Sequence, residues 1–126
     1  YNNNSTISEN EIVNTASTSF YGNYLYYCNN SSSINNLIRN NSSSSAQYHI
    51  YVYYGTTNTV SNNKIIDNNG GSSVVYSIYV YYNSNSIITG NLLKNLSTTS
   101  ALFGIYLYNK TEIITKALVT NNTIKK

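Results

Sequence analysis

Residues 48–54 read YHIYVYY, and the phrase recurs as YGNYLYY at 21–27, YSIYVYY at 76–82 and FGIYLYN at 103–109. The starts of these stretches lie 27, 28 and 27 residues apart. Tyrosine alternating with Ile, Val or Leu has period two, which is the pattern of a strand and not of a helix. β-Branched and aromatic residues also suit a pleated surface. A polar turn follows each stretch, then a second short apolar segment: ISENEIVN from Ile7, INNLIRN from Ile34, VSNNKIIDN from Val60, ITGNLLKN from Ile88 and VTNNTIK from Val119. The last of these comes late, which implies an insertion within 110–116. A Ser/Thr/Gly-rich stretch closes each coil: NSSSSAQ, NNGGSSVV and LSTTSAL. Short strands separated by Asn, Ser and Gly, residues that turn the chain at low cost, and repeated at a fixed period predict a β-solenoid. About four and a half coils of 27–28 residues fill residues 1–126 as one domain.

Composition bounds the reading. Leu, Ile, Val and Phe make up a quarter of the chain and recur in register, which separates it from a disordered Asn/Ser tract. Charged residues are 9% of the chain, against roughly 25% in ordinary soluble domains. The net charge of +3 comes from scattered bases without a basic run, so nucleic acid is not an expected partner. No apolar stretch is long enough to span a bilayer, so membrane insertion is not expected. The chain shows no signal peptide and does not begin with Met, which reads as a mature product, an excised domain or a fragment. The single Cys28 allows no internal disulfide and is expected to be a buried or turn thiol.

The phrase I/V-x-x-N-x-I/L, as in VSNNKI from Val60, ITGNLL from Ile88 and VTNNTI from Val119, together with GIYLYN from Gly104, resembles the parallel β-helix repeats of pectate-lyase-like and NosD-like proteins. The resemblance covers the whole chain and implies an all-β, right-handed parallel β-helix. The right-handed crossover rule for parallel strands points the same way. The coils here are longer than that group's compact repeats, and the Ser-rich closing loop accounts for the excess.

Strict alternation within YHIYVYY places Ile50 and Val52 inward, with Ile78, Val80, Ile105 and Leu107 in the same columns. Each buried aliphatic contributes roughly 1.5–3 kcal/mol. His49, Tyr51 and Tyr53 then point outward. The outward columns are Tyr24, Tyr51, Tyr79, Tyr106 and Tyr26, Tyr53, Tyr81, Tyr108, two ladders that form a flat amphipathic contact surface. Tyr27, Tyr54 and Tyr82 share the core's parity and are expected at a corner or inside. Asn63, Asn91 and Asn122, with Asn10 as counterpart, recur at one point and predict a hydrogen-bonded ladder along the axis. Arg39, Asp67 and Lys94 are expected at near-equivalent positions in successive coils.

Catalytic parts are missing. The acids are Glu9, Glu11, Asp67 and Glu112; no two of them recur from coil to coil as facing carboxylates, which glycoside hydrolysis requires. His49 is the only histidine, so metal clusters and nucleophilic triads lack partners. Arg39 resembles the arginine base of a lyase, but no acidic calcium ligands accompany it. Gly70-Gly71 is a turn and not a phosphate loop. No catalytic residue, metal site or cofactor is therefore expected. Asn-x-Ser/Thr sequons at Asn3, Asn29, Asn40, Asn95, Asn109 and Asn121 are candidate glycosylation sites in an exported protein.

These features lead to the expectation of a non-catalytic structural or adhesive module at the cell surface or outside the cell. The sequence offers no amphipathic helix to cap the stack. Its partners are therefore expected to be other copies or neighbouring coils of a longer chain. A carbohydrate-binding or carbohydrate-active fragment, with tyrosines against polysaccharide, is the alternative. A NosD-like role in metal delivery ranks third, for want of Cys, Met and His ligands.

Overall fold

The computed structural model describes residues 2–13, 15–109 and 117–125, and all regular structure among them is strand. The insertion expected within 110–116 lies outside the described residues. Three five-stranded parallel sheets run along one axis. Sheet A stacks Asn2–Asn3, Phe20–Asn29, Gln47–Thr56, Val75–Ser84 and Leu102–Tyr108. Sheet B stacks Thr6–Ser8, Ser32–Ile34, Thr59–Ser61, Ile87–Thr89 and Leu118–Thr120. Sheet C stacks Glu11–Val13, Leu37–Arg39, Lys64–Ile66, Leu92–Lys94 and Thr123–Lys125. The register sets Ile50 level with Ile78 and Ile78 with Ile105, so each coil lies on its equivalent in the next. This is the predicted parallel solenoid.

Aliphatic columns fill the interior. Sheet A contributes Ile50 and Ile78, sheet B Val60 and Ile88, and sheet C Ile38, Ile65 and Leu93, all essentially without solvent exposure. Cys28 is buried among them, as expected. Most polar groups that enter the core are paired, as where Asn23 Nδ2 donates to buried Ser33 Oγ at 2.9 Å. Among the described residues, His49 Nδ1, Ser77 Oγ and Asn83 Nδ2 are buried without a hydrogen-bond partner.

Among the described residues, left-handed backbone recurs from coil to coil at four corners. At three of them most of the positions are Asn, Asp or Gly: Asn4, Asn30, Thr57 and Asn85; Glu9, Asn35, Asn62, Gly90 and Asn121; Asn40, Asp67 and Asn95. Asn and Asp tolerate this conformation better than other non-glycine residues. An Asn, Ser or Thr follows the corner, buried in the middle coils, and ties it to the next coil. Asn10, Asn36, Asn63, Asn91 and Asn122 form the longest of these ladders. The Asn36 and Asn63 amide N–H groups donate to Asn63 Oδ1 and Asn91 Oδ1, each at 3.0 Å. Asn63 Nδ2 donates to the Ser33 carbonyl of the coil before at 2.9 Å. A second ladder runs from the Thr15 N–H through Asn41 to Asn68, and a third from Ser5 through Ser31 to Asn58. The predicted asparagine ladder is thus one of three.

Two register readings are corrected. Ser33, not Ile34, is level with Ile7 and Val60, so the second coil's segment begins one residue earlier than its apolar pattern suggests. That offset hid Asn36, the missing rung. Arg39 is level with Ile66 and Lys94, whereas Asp67 lies one residue on, at the corner. The partner of Arg39 is Glu11 of the preceding coil, at 2.7 Å.

Candidate functional site

Sheet A carries every described tyrosine on its outer surface. Four aromatic columns run along the axis, two more than alternation alone predicts. Tyr24, Tyr51, Tyr79 and Tyr106 stack at 5.0, 4.9 and 5.2 Å between centroids. Tyr26, Tyr53, Tyr81 and Tyr108 stack at 5.3, 5.1 and 5.1 Å, with planes within 10° of parallel. Both predicted ladders are therefore present. Tyr21, Tyr48, Tyr76 and Phe103 form a third, at 5.1, 5.0 and 5.0 Å. Tyr27, Tyr54 and Tyr82 form the fourth, at 5.0 and 4.8 Å. These distances follow the strand spacing of a sheet, about 4.7–4.9 Å, so the backbone ladder dictates the stack.

The extra columns come from two breaks in alternation. At the position shared by Gly22, His49, Ser77 and Gly104 the strand bends, and both His49 and Ile50 face inward. Tyr48 and its equivalents consequently turn outward. His49 is fully buried, which corrects its outward placement. The close approach of coils there explains Gly22, where an added Cβ would lie 2.3 Å from the His49 carbonyl oxygen. Glycine at two of the four positions was the available sequence signal. The second break is the fourth corner, formed by Tyr27, Tyr54 and Tyr82 themselves at φ of 49°, 52° and 48°. Left-handed backbone costs a bulky residue roughly 1–2 kcal/mol. It lets two successive tyrosines both face solvent, so the Tyr26/Tyr27, Tyr53/Tyr54 and Tyr81/Tyr82 pairs meet edge to face at 4.7, 4.6 and 4.3 Å.

Stacking within a column covers the ring faces and leaves ring edges and hydroxyl tips outward. Tyr21, Tyr24 and Tyr26 are about half exposed. Partial burial against neighbouring rings, reinforced by the repulsion between adjacent phenolates, raises the Tyr24, Tyr48, Tyr51 and Tyr79 hydroxyls above the usual tyrosine range. These four hydroxyls therefore stay protonated further into alkaline pH than a free tyrosine. No charged residue stands in sheet A or sheet B. The described charges, Glu9, Glu11, Arg39, Lys64, Asp67, Lys94 and Lys125, all lie in sheet C or at its two corners.

The candidate glycosylation sites fall into two groups. Asn40, Asn95 and Asn121 sit exposed at left-handed corners beside sheet C, and Asn95 Nδ2 donates to Asp67 Oδ1 at 2.8 Å. Asn3, Asn29 and Asn109 lie at the end of the sheet A run. Asn3 and Asn109 are exposed, while Asn29 is half-buried and accepts the Thr56 N–H at 2.9 Å.

Inside, the His49 ring lies 5.7 Å from Phe20, and its Nε2 is 3.1 Å from Gln47 Oε1. Gln47 Nε2 donates to the Asn69 carbonyl, so Gln47 Oε1 is the acceptor and His49 Nε2 the donor. Burial lowers the imidazole to about 3 and keeps it neutral. Among the described residues no three of His, Cys, Asp and Glu converge on a common point.

This architecture defines a class, the right-handed parallel β-helices with an aromatic outer face. The chain belongs to the right-handed beta helix region family, whose model matches residues 1–126. Comparison with curated proteins and with solved structures returns no match.

Proposed function

We propose that this chain is a non-catalytic structural or adhesive module acting outside the cell or at its surface, with the tyrosine face of sheet A as its contact surface. The observation that carries this reading is the array itself: four contiguous, ordered, charge-free columns of aromatic rings on one sheet. Burying tyrosine is favourable through its large apolar body, and its hydroxyl still finds partners at an interface. Stacking has already restricted the rings, so contact costs little further entropy. Left-handed backbone at Tyr27, Tyr54 and Tyr82 adds a column at an energetic cost, and strain of that kind concentrates at functional positions.

Edge-on presentation favours a protein partner over a sugar. A pyranose stacks on an aromatic face, and in these columns the faces are turned to each other. The alternative, polysaccharide binding, rests on the shallow groove lined by Tyr27, Tyr54, Tyr82, Asn29, Gly55 and Thr56, where aromatic and amide groups lie side by side.

Replacing Tyr51 and Tyr79 together with Ser tests both. The columns inside are untouched, so circular dichroism and melting are expected to keep the β-solenoid signature. Sedimentation is expected to show self-association weakened at least tenfold, since central residues dominate interfaces. Unchanged association with lost retention on a polysaccharide matrix would favour the glycan reading. If neither changes, the ladder only stabilises its sheet.

A further inference from the structure

The tyrosine face concentrates the chain's accessible oxidisable side chains. Met and Trp are absent, and the one Cys is buried. Of the residues that surrender an electron readily, tyrosine alone remains at the surface, and every described tyrosine stands in the array. We propose that this face is a site of oxidative cross-linking, at which tyrosines of two copies of the chain are joined as dityrosine. The inference rests on the reading of the face as a contact surface and commits its occupant to a second copy.

Magnitude supports a covalent step. From Tyr21 to Tyr27 the face is about 20 Å across, and four coils span about 19 Å, a footprint of roughly 400 Å². A stable interface takes about 800 Å² from each partner, so the face by itself gives a weak contact that a bond would make permanent. Two such faces meet without like-charge repulsion, because the described charges lie in sheet C and at its corners.

Geometry disfavours coupling within a column. Inside one copy only pairs across columns, such as Tyr53 and Tyr54 at 4.6 Å or Tyr81 and Tyr82 at 4.3 Å, meet edge to face, and their yield, unlike that between copies, is independent of dilution. A biaryl bond sets two rings edge to edge. Neighbours in a column instead lie face to face, as in Tyr53 and Tyr81 at 5.1 Å and 1°, and joining them requires the stack to open. The ortho carbons flank the hydroxyl at the solvent end of each ring, where a facing copy presents the same atoms.

The reaction needs an oxidant, taken here as hydrogen peroxide acting through a haem peroxidase. Each of two phenols gives up one electron and one proton, and the peroxide accepts both pairs to become two waters. The resulting phenoxyl radicals pair their electrons in a carbon–carbon bond between ortho carbons. The hydrogen on each bonded carbon then moves to its phenolic oxygen, which restores both aromatic rings.

The test treats the folded protein with hydrogen peroxide and peroxidase, before and after dilution below its association range. Expected are covalent dimers and larger species on denaturing gels, dityrosine fluorescence, and cross-linked peptides mapping to 21–27, 48–54, 76–82 and 103–108. The yield should fall on dilution. A variant carrying Tyr→Phe at all fourteen tyrosines of the four columns keeps the stacked rings and the fold. It should lose most of the cross-linking while still associating. Association without dityrosine overturns this inference and leaves the contact reading standing, as do cross-links confined to Tyr1 or undiminished in the variant. A protein that neither associates nor cross-links overturns both.

Discussion

Sheets A and C share one axis, one strand spacing and one core, yet their outer surfaces are opposites. Sheet A turns out aromatic columns and no charge; sheet C carries Glu11, Arg39, Lys64, Lys94 and Lys125 among aliphatics such as Leu37, Ile66 and Leu92. In sheet A each outward residue stands over its own kind and gains from it, because like rings stack. In sheet C like charges stacked about 4.8 Å apart repel, as at Lys94 and Lys125, which are level in adjacent coils, whereas Glu11, level with Leu37, reaches diagonally to Arg39 at 2.7 Å. A solenoid thus makes repetition favourable for neutral residues and unfavourable for charged ones. The repeated face is aromatic and free of charge, and the irregular face carries the described charges.

The comparison predicts that stability resides in the inward groups and ladders, with little contribution from the charged face. The largest effect is expected at one corner between sheets B and C. Asn63→Ala strands the Asn36 N–H and removes the donor to the Ser33 carbonyl, both inside the structure. Each unsatisfied buried group costs about 1–3 kcal/mol, so a loss of roughly 3–5 kcal/mol is expected in denaturant unfolding. Asn62→Ala, at the exposed left-handed residue beside it, should cost only about 1 kcal/mol. Equal losses would mean that the inward ladder carries no special weight.

Titration separates interior from face. His49 is lowered to about 3, so between there and its ordinary value near 6.5 the unfolded chain binds a proton that the folded chain refuses. Stability is full above pH 6.5 and falls by about 1.4 kcal/mol per unit below it, or roughly 3 kcal/mol by pH 4. His49→Ser should abolish that part of the acid slope; an unchanged slope would place its origin elsewhere. The alkaline limb belongs to sheet A. Tyrosines raised above their usual value, such as Tyr51 and Tyr79, keep protons that the unfolded chain loses above about pH 10, so stability falls as pH rises past that point.

The smallest effect is expected on sheet C. The Arg39–Glu11 pair is exposed on both sides, and pairs of that kind contribute about 0–1 kcal/mol. Arg39→Gln should lower the unfolding midpoint only slightly, and less in high salt. A loss above 2 kcal/mol would show that the two faces share the work of stability after all.

The solenoid, its coil length, its inward Ile/Val columns, two tyrosine ladders and an asparagine ladder were legible in the sequence. All of them are periodic, and a stack of coils turns chain period directly into spatial neighbourhood. Tyr48 turned outward and His49 turned inward were decided only by the tertiary structure, which also chose the corner over the interior for Tyr27, Tyr54 and Tyr82. Alternation assigns faces by parity, and parity holds only while the strand is straight. Where coil packs closely on coil at Gly22, or the backbone turns left-handed at Tyr27, the count slips by one and every later side chain changes face. Those slips carry no period of their own. They arise from contacts between coils that exist only once the chain is wound, and they widen the aromatic surface from two columns to four.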